Sequence, residues 1–563
     1  MSLSAALSTA TSSLRTIQTQ LSVASNNIAN ADDVNYTAKT AKQSTVVAGG
    51  TGVGVNITSI ASDVDNNLVR SIVDATAADS AAQTFLSYMQ SLSDALGSLS
   101  SDGAGDTLAT SLSSLESTLD ELATTPESAT LANQAVSDLE DVTADLRSAS
   151  DDVQTLRTNA DGDIADAVNT VNDALHQIDS LNQSIVRAQG AGQPTGDLED
   201  KRNAALQTIS AEMGITTYTD STGAMKVYTT SGQVLLGDDV HELSFTAASS
   251  VKTTSAYPAT LSGISVDGQD ITKSIQTGEI SSLVTLRDTT LPSVQKDLDA
   301  LATELRDTLN TISNQGSAAP PPNSLTGTAS VSAADSLSAT GTLRVAVTDS
   351  DGKVVSTQDI DMTTVTSVSD LLTTLNSVPG LNASVNSDGK LVLKATSSSN
   401  GVAISGGSIG SKNVSGYFGL NDMVVGTTAA NVAVKADLAG DTSRLPIGSV
   451  STATTLSVGD KAVTSGSGTL AQSMADALRS ADLTGDAGSL VSNVATKLSS
   501  AKSRATSTET TLNTLVDSFS SQYGVNTDEE TARISELQNA YSASAQVLSA
   551  VTSMFNDLLQ AVR

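Results

Sequence analysis

The chain has 563 residues, with 61 acidic against 29 basic side chains, a formal net charge of −32, and neither cysteine nor tryptophan. That length holds several cores; so negative a surface repels phosphate backbones, and the absence of cysteine excludes disulfides and thiolate metal centres. Aromatic residues make up only 2%, so packing falls to long helices carrying Leu, Ile, Val and Ala rather than to compact ligand pockets.

The first predicted element is a helix. Leu3, Leu7, Ala10, Leu14, Ile17, Leu21, Ala24 and Ile28 fall at alternating steps of four and three, which keeps one narrow apolar seam facing a partner helix. Arg15 is the only charged side chain among residues 1–31. The remaining face is Ser, Thr, Gln and Asn, which suits a helix surrounded by other helices, where unpaired charge is costly. This stretch lacks the continuous apolar core and small-residue cleavage site of a Sec-type signal peptide. No segment approaches the ~18 apolar residues of a spanning helix, so the chain reads as soluble, without membrane insertion, and any export leaves its N-terminus uncut.

Asn30-Ala31-Asp32-Asp33 ends the periodic pattern, and Gly49, Gly50, Gly52 and Gly54 break the chain again. Strand-like Gly54-Val55-Asn56-Ile57 follows, with neither a helix nor a Lys-Ser/Thr pair, which argues against a phosphate cradle. From about Ser62 to Gln189 the spacing is helical, with Leu112, Leu115, Leu119 and Leu122 in one row and Val168, Val171, Leu175, Ile178, Leu181 and Ile185 in another. Pro126 separates them, giving long antiparallel helices.

After Gly214 the period changes to two, and Thr217–Leu236 reads as a β-meander turning at Thr222-Gly223 and Ser231-Gly232. A helix follows over about Ser281–Asn314, and Pro320-Pro321-Pro322 marks a boundary. Leu343, Val345 and Val347 before Asp351-Gly352, and Val385 before Asp388-Gly389 with Leu391 and Leu393 beyond, are two hairpin signals. Helical spacing from Val368 to Leu375 lies between them, predicting a ββαββ unit. Residues 429–468 are Ser/Thr/Gly-rich and β-leaning, and helical periodicity then runs to the end.

The last helix repeats the first one's pattern. Ile534, Leu537, Tyr541, Ser544, Leu548, Val551, Phe555, Leu558 and Val562 alternate by three and four. Thr527 with Glu530 predicts a capping box, and the acids Asp528, Glu529 and Glu530 favour a helix N-terminus over a cation site. Two seams at opposite ends are expected to pair with each other or with copies in neighbouring subunits. The fold class is multidomain α+β: a terminal coiled-coil domain (1–45 with 521–563), a long-helix bundle (46–213 with 281–316 and 425–520), a β-meander region (214–280) and an outer ββαββ domain (317–424).

Catalytic constellations do not converge. His176 lies in a helical run and His241 beside a β-turn, in different predicted regions; both read as solvated or satisfied. Asp349-Ser350-Asp351-Gly352 echoes a calcium loop but lacks its downstream ligands and reads as a hairpin turn. No cofactor, metal or catalytic residue is expected.

One motif points further. Ala24-Ser25-Asn26-Asn27-Ile28-Ala29-Asn30-Ala31, continued by Val34-Asn35-Tyr36, reads physically as a helix C-cap, because Asn bonds its own backbone. It also resembles the N-terminal signature, here Asn26, Asn27, Asn30 and Tyr36, of the bacterial flagellar rod, hook and hook-associated proteins. That signature usually passes through Thr or Pro and Gly before its Tyr; Asn35 is expected to take the positive φ instead. Gly524-Val525-Asn526 with its three acids, and Leu537-Gln538-Asn539-Ala540-Tyr541, are similar to the C-terminal signature of the same family. Leu181-Asn182-Gln183, Gly196–Asn203, Leu286-Arg287-Asp288 and Tyr417–Asp422 look like interior stretches of its hook-associated members. Asp197, Asp200 and Arg202 are read as a surface ion-pair turn.

The resemblance implies a structural role joining hook to filament, self-assembly into a tubular layer, and export without a cleaved signal peptide to the extracellular flagellum. It also implies contact with hook protein and other hook-associated proteins, and an export chaperone at the C-terminal helix. Another axial subunit, of hook or filament type, and a secreted acidic adhesin are the alternatives.

Overall fold

Leu3–Ala29 forms α1, and a hairpin of β1 (Thr40–Ala48) and β2 (Thr51–Ala61) follows it. The structure, a computed structural model, describes residues 3–48, 50–97, 107–465 and 468–561. Gly49 and Val562, named above as a chain break and as the last seam residue, lie outside the described residues. Next come α2 (Asn66–Leu96), α3 (Leu108–Thr124), α4 (Ala129–Gly190) and α5 (Gly196–Glu212). Strands β3 (Ile215–Thr219), β4 (Met225–Thr229) and β5 (Val234–Leu236) make one antiparallel sheet. The short β6 (Leu243–Ser244), β7 (Ser265–Val266) and β8 (Gln269–Asp270) make another. Helix α6 (Glu279–Thr285) runs through a π turn at Leu286–Thr290 into α7 (Leu291–Ser313).

The β-rich segment contains β9 (Ser324–Ser330), β10 (Ala339–Thr348), β11 (Val354–Asp361), α8 (Val368–Leu375), β12 (Leu381–Val385), β13 (Lys390–Ala395) and β14 (Gly401–Ile409). Helices α9 (Val414–Phe418), α10 (Ala436–Ala439), α11 (Thr469–Ser480), α12 (Leu483–Tyr523) and α13 (Thr527–Ala561) complete the chain.

Local chemistry explains the breaks. Thr107 caps α3 through a box with Thr110, and Ser128, just past Pro126, accepts from Leu131 N–H at the start of α4. Helix α4 then runs 62 residues, about 90 Å at 1.5 Å per residue. It stops where Gly192 takes φ +66° and Gln193 N–H turns back to the Ala188 carbonyl, a glycine-dependent cap.

The chain divides into two compact units: residues 1–88, 158–289 and 499–563, and residues 89–157 and 290–498. In the second, β11-β10-β14 form a sheet with Lys412–Asn413 at its edge, and β12-β13-β9 form a smaller sheet. Leu343, Val345, Met362, Leu371, Leu393, Ile404 and Phe418 share the core between them and α8. The Asp349–Gly352 segment is a hairpin turn in which the Asp349 carboxylate accepts from Asp351 and Lys353 N–H.

In the first unit, Arg287 is fully buried beside Asp161 at 2.6 Å and Asp288 at 2.8 Å. His176 and His241 pair with Glu242 and Asp267, each at 2.7 Å. These are single hydrogen-bonded contacts on exposed side chains, without a nucleophile attached.

Glu212 closes α5 against the start of α6, and burial first, then the charge of Glu279, pushes its carboxyl from 4.5 up to about 7. A carboxyl raised on folding stabilises the fold fully below its unfolded value, and that contribution is lost as pH rises through about 7. Glu212→Gln is therefore expected to raise the melting temperature at pH 8 and leave it unchanged at pH 4, as followed by circular dichroism.

The polar node that joins the two chain ends

Helices α1 and α13 lie side by side and antiparallel. Ser13 Oγ meets Ser544 Oγ at 3.3 Å, Gln18 Nε2 donates to Tyr541 Oη at 3.4 Å, and Asn27 Nδ2 donates to Glu530 Oε1 at 2.8 Å. The two seams thus meet within one chain. The buried residues of α1 are Ala10, Thr16, Ile17, Val23, Ala24 and Asn27, a wider face than the expected stripe. The reason is a second neighbour: β2 packs on α1 through Thr9 Oγ1, which donates to the Val53 carbonyl, and Ser12 Oγ, which accepts from Val55 N–H. Gly54 is needed there, since a Cβ would stand 2.6 Å from Ser12 Oγ.

The seam residues divide along the helices. Ile17 and Val551 are buried, and Leu3, Leu14, Leu21, Ile28, Leu537, Tyr541 and Leu548 are half-buried. Leu7, Phe555 and Leu558 are exposed, contrary to the expected continuous seam. For Leu558 the reason is register: at the observed pairing Leu3 stands across from residues 554–556, so Leu558 lies beyond Leu3. Nothing in the pairing accounts for Leu7 or Phe555.

At the other end of the pair the two helices are locked by a buried polar group. Asn27 is wholly buried, and all its amide capacity is used. Besides Glu530, Nδ2 donates to the Lys39 carbonyl at 3.0 Å. Its Oδ1 accepts from Tyr36 Oη at 2.9 Å and from Lys39 N–H at 3.0 Å. The motif residue is therefore not a helix cap; it bridges α1, the extended segment after it, and α13. Asn30 does the capping, donating from Nδ2 to the Asn26 carbonyl. Asn35 does not take positive φ, because Asp33 Oδ1 accepts from its N–H and turns the chain.

Lys39 extends the node. Its ammonium donates to the Thr37 carbonyl at 2.8 Å, to Thr37 Oγ1 at 3.1 Å and to Asp200 Oδ2, and it lies 4.1 Å from the Tyr36 ring centroid. Asp200 also accepts from Thr37 N–H and Thr37 Oγ1. Gly196 makes room, since a Cβ there would stand 2.6 Å from Lys39 Cε. Burial first, then the charges of Asp197, Asp200 and Glu530, pushes the Tyr36 phenol up to about 12. The phenol stays protonated and keeps donating to Asn27.

Two expectations are corrected here. Asp200 and Arg202 are buried and do not form a surface ion-pair turn. Two positions apart on α5, they face different ways, Asp200 to Thr37 and Lys39, and Arg202 to Asn182 Oδ1 and the Gly223 carbonyl in the β-meander. Asn526, rather than Thr527, caps α13, with Oδ1 accepting from Asp528 and Glu529 N–H. Glu530 is thereby released from the cap and turns to Asn27.

Thr37 and Lys39 escaped the sequence reading. Their signal was period two in the extended Tyr36-Thr37-Ala38-Lys39 stretch, which places Thr37 and Lys39 on one face. Among the described residues no group of three or more acids and histidines could hold a metal ion. No described helix is long and apolar enough to cross a membrane. What the arrangement can do is hold two distant chain ends together.

Comparison with known proteins gives the following. Residues 89–327 match the family described as flagellar hook-associated protein FlgK helical domain, and residues 516–561 match flagellar basal body rod FlgEFG protein C-terminal. Flagellar hook-associated protein 1 of Salmonella typhimurium and that of Salmonella typhi are each 25% identical over 589 residues, covering 99% of this chain and all of theirs. A solved structure, the flagellar hook junction protein FlgK from Burkholderia pseudomallei, aligns with TM-score 0.47 and 16% identity over 80% of this chain and 99% of its own.

Proposed function

This chain belongs to the flagellar hook-associated protein 1 family, and from that premise we propose how it serves as a structural part of the flagellum at the junction of hook and filament. Its work is assembly. The observation that carries the reading is the clasp of α1 to α13 through Asn27 and Glu530, which returns the chain to its starting point and presents both ends as one rod. Copies of that rod pack side by side into the inner layer of a tube.

The surface chemistry supports this use. Residues 1–31 carry a single charge, so neighbouring rods approach without the repulsion that a net charge of −32 imposes elsewhere. Ser and Ala on the rod's faces present small side chains that accommodate slight axial slips, as a joint between a flexible tube and a stiffer one requires. Hook protein and further hook-associated proteins meet the two ends of this layer. The exposed apolar end of α13 receives an export chaperone before assembly, and the chain reaches the cell exterior without cleavage.

Deleting residues 547–561 tests the reading. Cells making the shortened chain are expected to carry hooks without filaments and to stop swimming, as seen by electron microscopy and motility assay. Attached filaments and normal swimming would overturn it, and missing hooks would point to a hook-type subunit instead.

A further inference from the structure

Along most of its length the rod of α1 and α13 carries two charges of opposite sign, and they do not meet. Arg15 is the only charge among residues 1–31, and Asp557 is the only one among residues 537–561. Both residues are exposed, and neither joins an ion pair among the described residues. Each points away from the seam. Ser8 and Ser22, two turns to either side of Arg15 on the same face of α1, are exposed with it. Ser553 and Ala550, one and two turns before Asp557, are exposed on the same face of α13. The two charges therefore sit on opposite sides of the rod, one on the back of each helix.

They are also far apart along it. With Ser13 beside Ser544 and Asn27 beside Glu530, Asp557 stands just beyond Leu3, about 14 positions or roughly 20 Å from Arg15. No side chain spans that distance within one chain. Rods enclosed by other rods lose the water around their outer faces, where a charge left alone costs far more than one met by its opposite. Glu536, the next acid back along α13, has Arg533 one turn before it, the spacing of neighbours on a helix surface. Asp557 has no basic residue within four positions on either side, and Arg15 has no acid there.

We propose that Arg15 on the back of α1 in one copy forms an ion pair with Asp557 on the back of α13 in a second copy, the rods lying side by side and offset by roughly 20 Å along their length. This rests on the assembly role above and names one contact within it. The two faces are unlike, so the contact repeats head to tail, and the offset makes the series helical. Opposite charges on otherwise neutral faces set the register of neighbouring rods to within the reach of the Arg side chain, as a single polar residue does in a coiled coil. The flanking Ser and Ala side chains leave room for the two backbones to approach.

Charge reversal tests the pair. Arg15→Glu and Asp557→Arg, each in the full chain, are expected to keep the parental circular dichroism spectrum and to lower the number of attached filaments at least tenfold. The chain with both changes restores opposite signs and is expected to regain at least half of the filaments. A double variant no better than the singles, or either single with the parental number of filaments, overturns the pairing; the junction role stands or falls separately, on the 547–561 deletion. The register has its own readout. Since α1 and α13 are antiparallel, parallel rods that bring Arg15 to Asp557 also bring Ser22 to Ala550, two turns along. The chain has no cysteine, so Ser22→Cys with Ala550→Cys, treated in isolated flagella with a short bismaleimide, is expected to give a ladder of multimers linked through positions 22 and 550. Attached filaments without that ladder overturn the pairing.

Discussion

Asp200→Ala is expected to destabilise the unit holding the chain ends by about 3 kcal/mol, the low end of the usual cost of breaking a buried ion pair, because Asp197 still lies 3.7 Å from the Lys39 ammonium. The Lys39 and Asp200 side chains are only 5% and 10% exposed, so water cannot replace the lost carboxylate. Thr37 N–H and Oγ1 lose their acceptor in the same stroke. The loss should appear in urea unfolding and in faster proteolysis near Tyr36–Lys39. A paired change, Lys39→Met with Asp200→Leu, is expected to recover most of the stability, because removing both charges also removes their desolvation cost. If the paired change is as damaging as the single one, the charge pair is not what holds this segment.

Asn27→Ala should be comparably severe, at about 3–4 kcal/mol, since each buried polar group left bare costs about 1–3 kcal/mol. The groups abandoned are the Glu530 carboxylate, the Lys39 N–H and carbonyl, and the Tyr36 hydroxyl. Glu530 matters most, because its Oε2 is already buried without a protein partner, and loss of Asn27 leaves the whole carboxylate without one. Hydrogen exchange over the first turns of α13 is the readout. Asn30→Ala, which removes one exposed bond to the Asn26 carbonyl, should cost about 1 kcal/mol or less and leave α13 protected. Equal effects at the two positions would show that the motif acts as a cap after all.

Much of this fold was legible in the residues because it is periodic. The four-three alternation at both ends located α1 and α13, and Pro126 and the Asp-Gly and Ser-Gly turns placed the breaks between helices and hairpins. The node was not legible, because its partners are far apart in the chain: Asn27 and Glu530 are 503 positions apart, and Lys39 and Asp200 are 161 apart. Local chemistry even pointed the wrong way. Asn27 offers an amide suited to a helix end, Thr527 and Glu530 have the spacing of a capping box, and Asp197, Asp200 and Arg202 have that of a surface ion pair. Asn27, Glu530, Asp200 and Arg202 were each taken by a distant partner, while Asn30 and Asn526 did the capping. The exposure of Leu558 was hidden for a different reason. Periodicity shows which face is apolar, not how far the facing helix extends.

The most direct test is whether α1 and α13 of a single chain meet. Ser13→Cys with Ser544→Cys in the otherwise cysteine-free full chain replaces two hydroxyls 3.3 Å apart. After oxidation in dilute solution, the account predicts a monomer-sized band carrying a disulfide between positions 13 and 544, identified by peptide mass spectrometry. Cross-links found only in dimers, with the monomer left reduced, would contradict it.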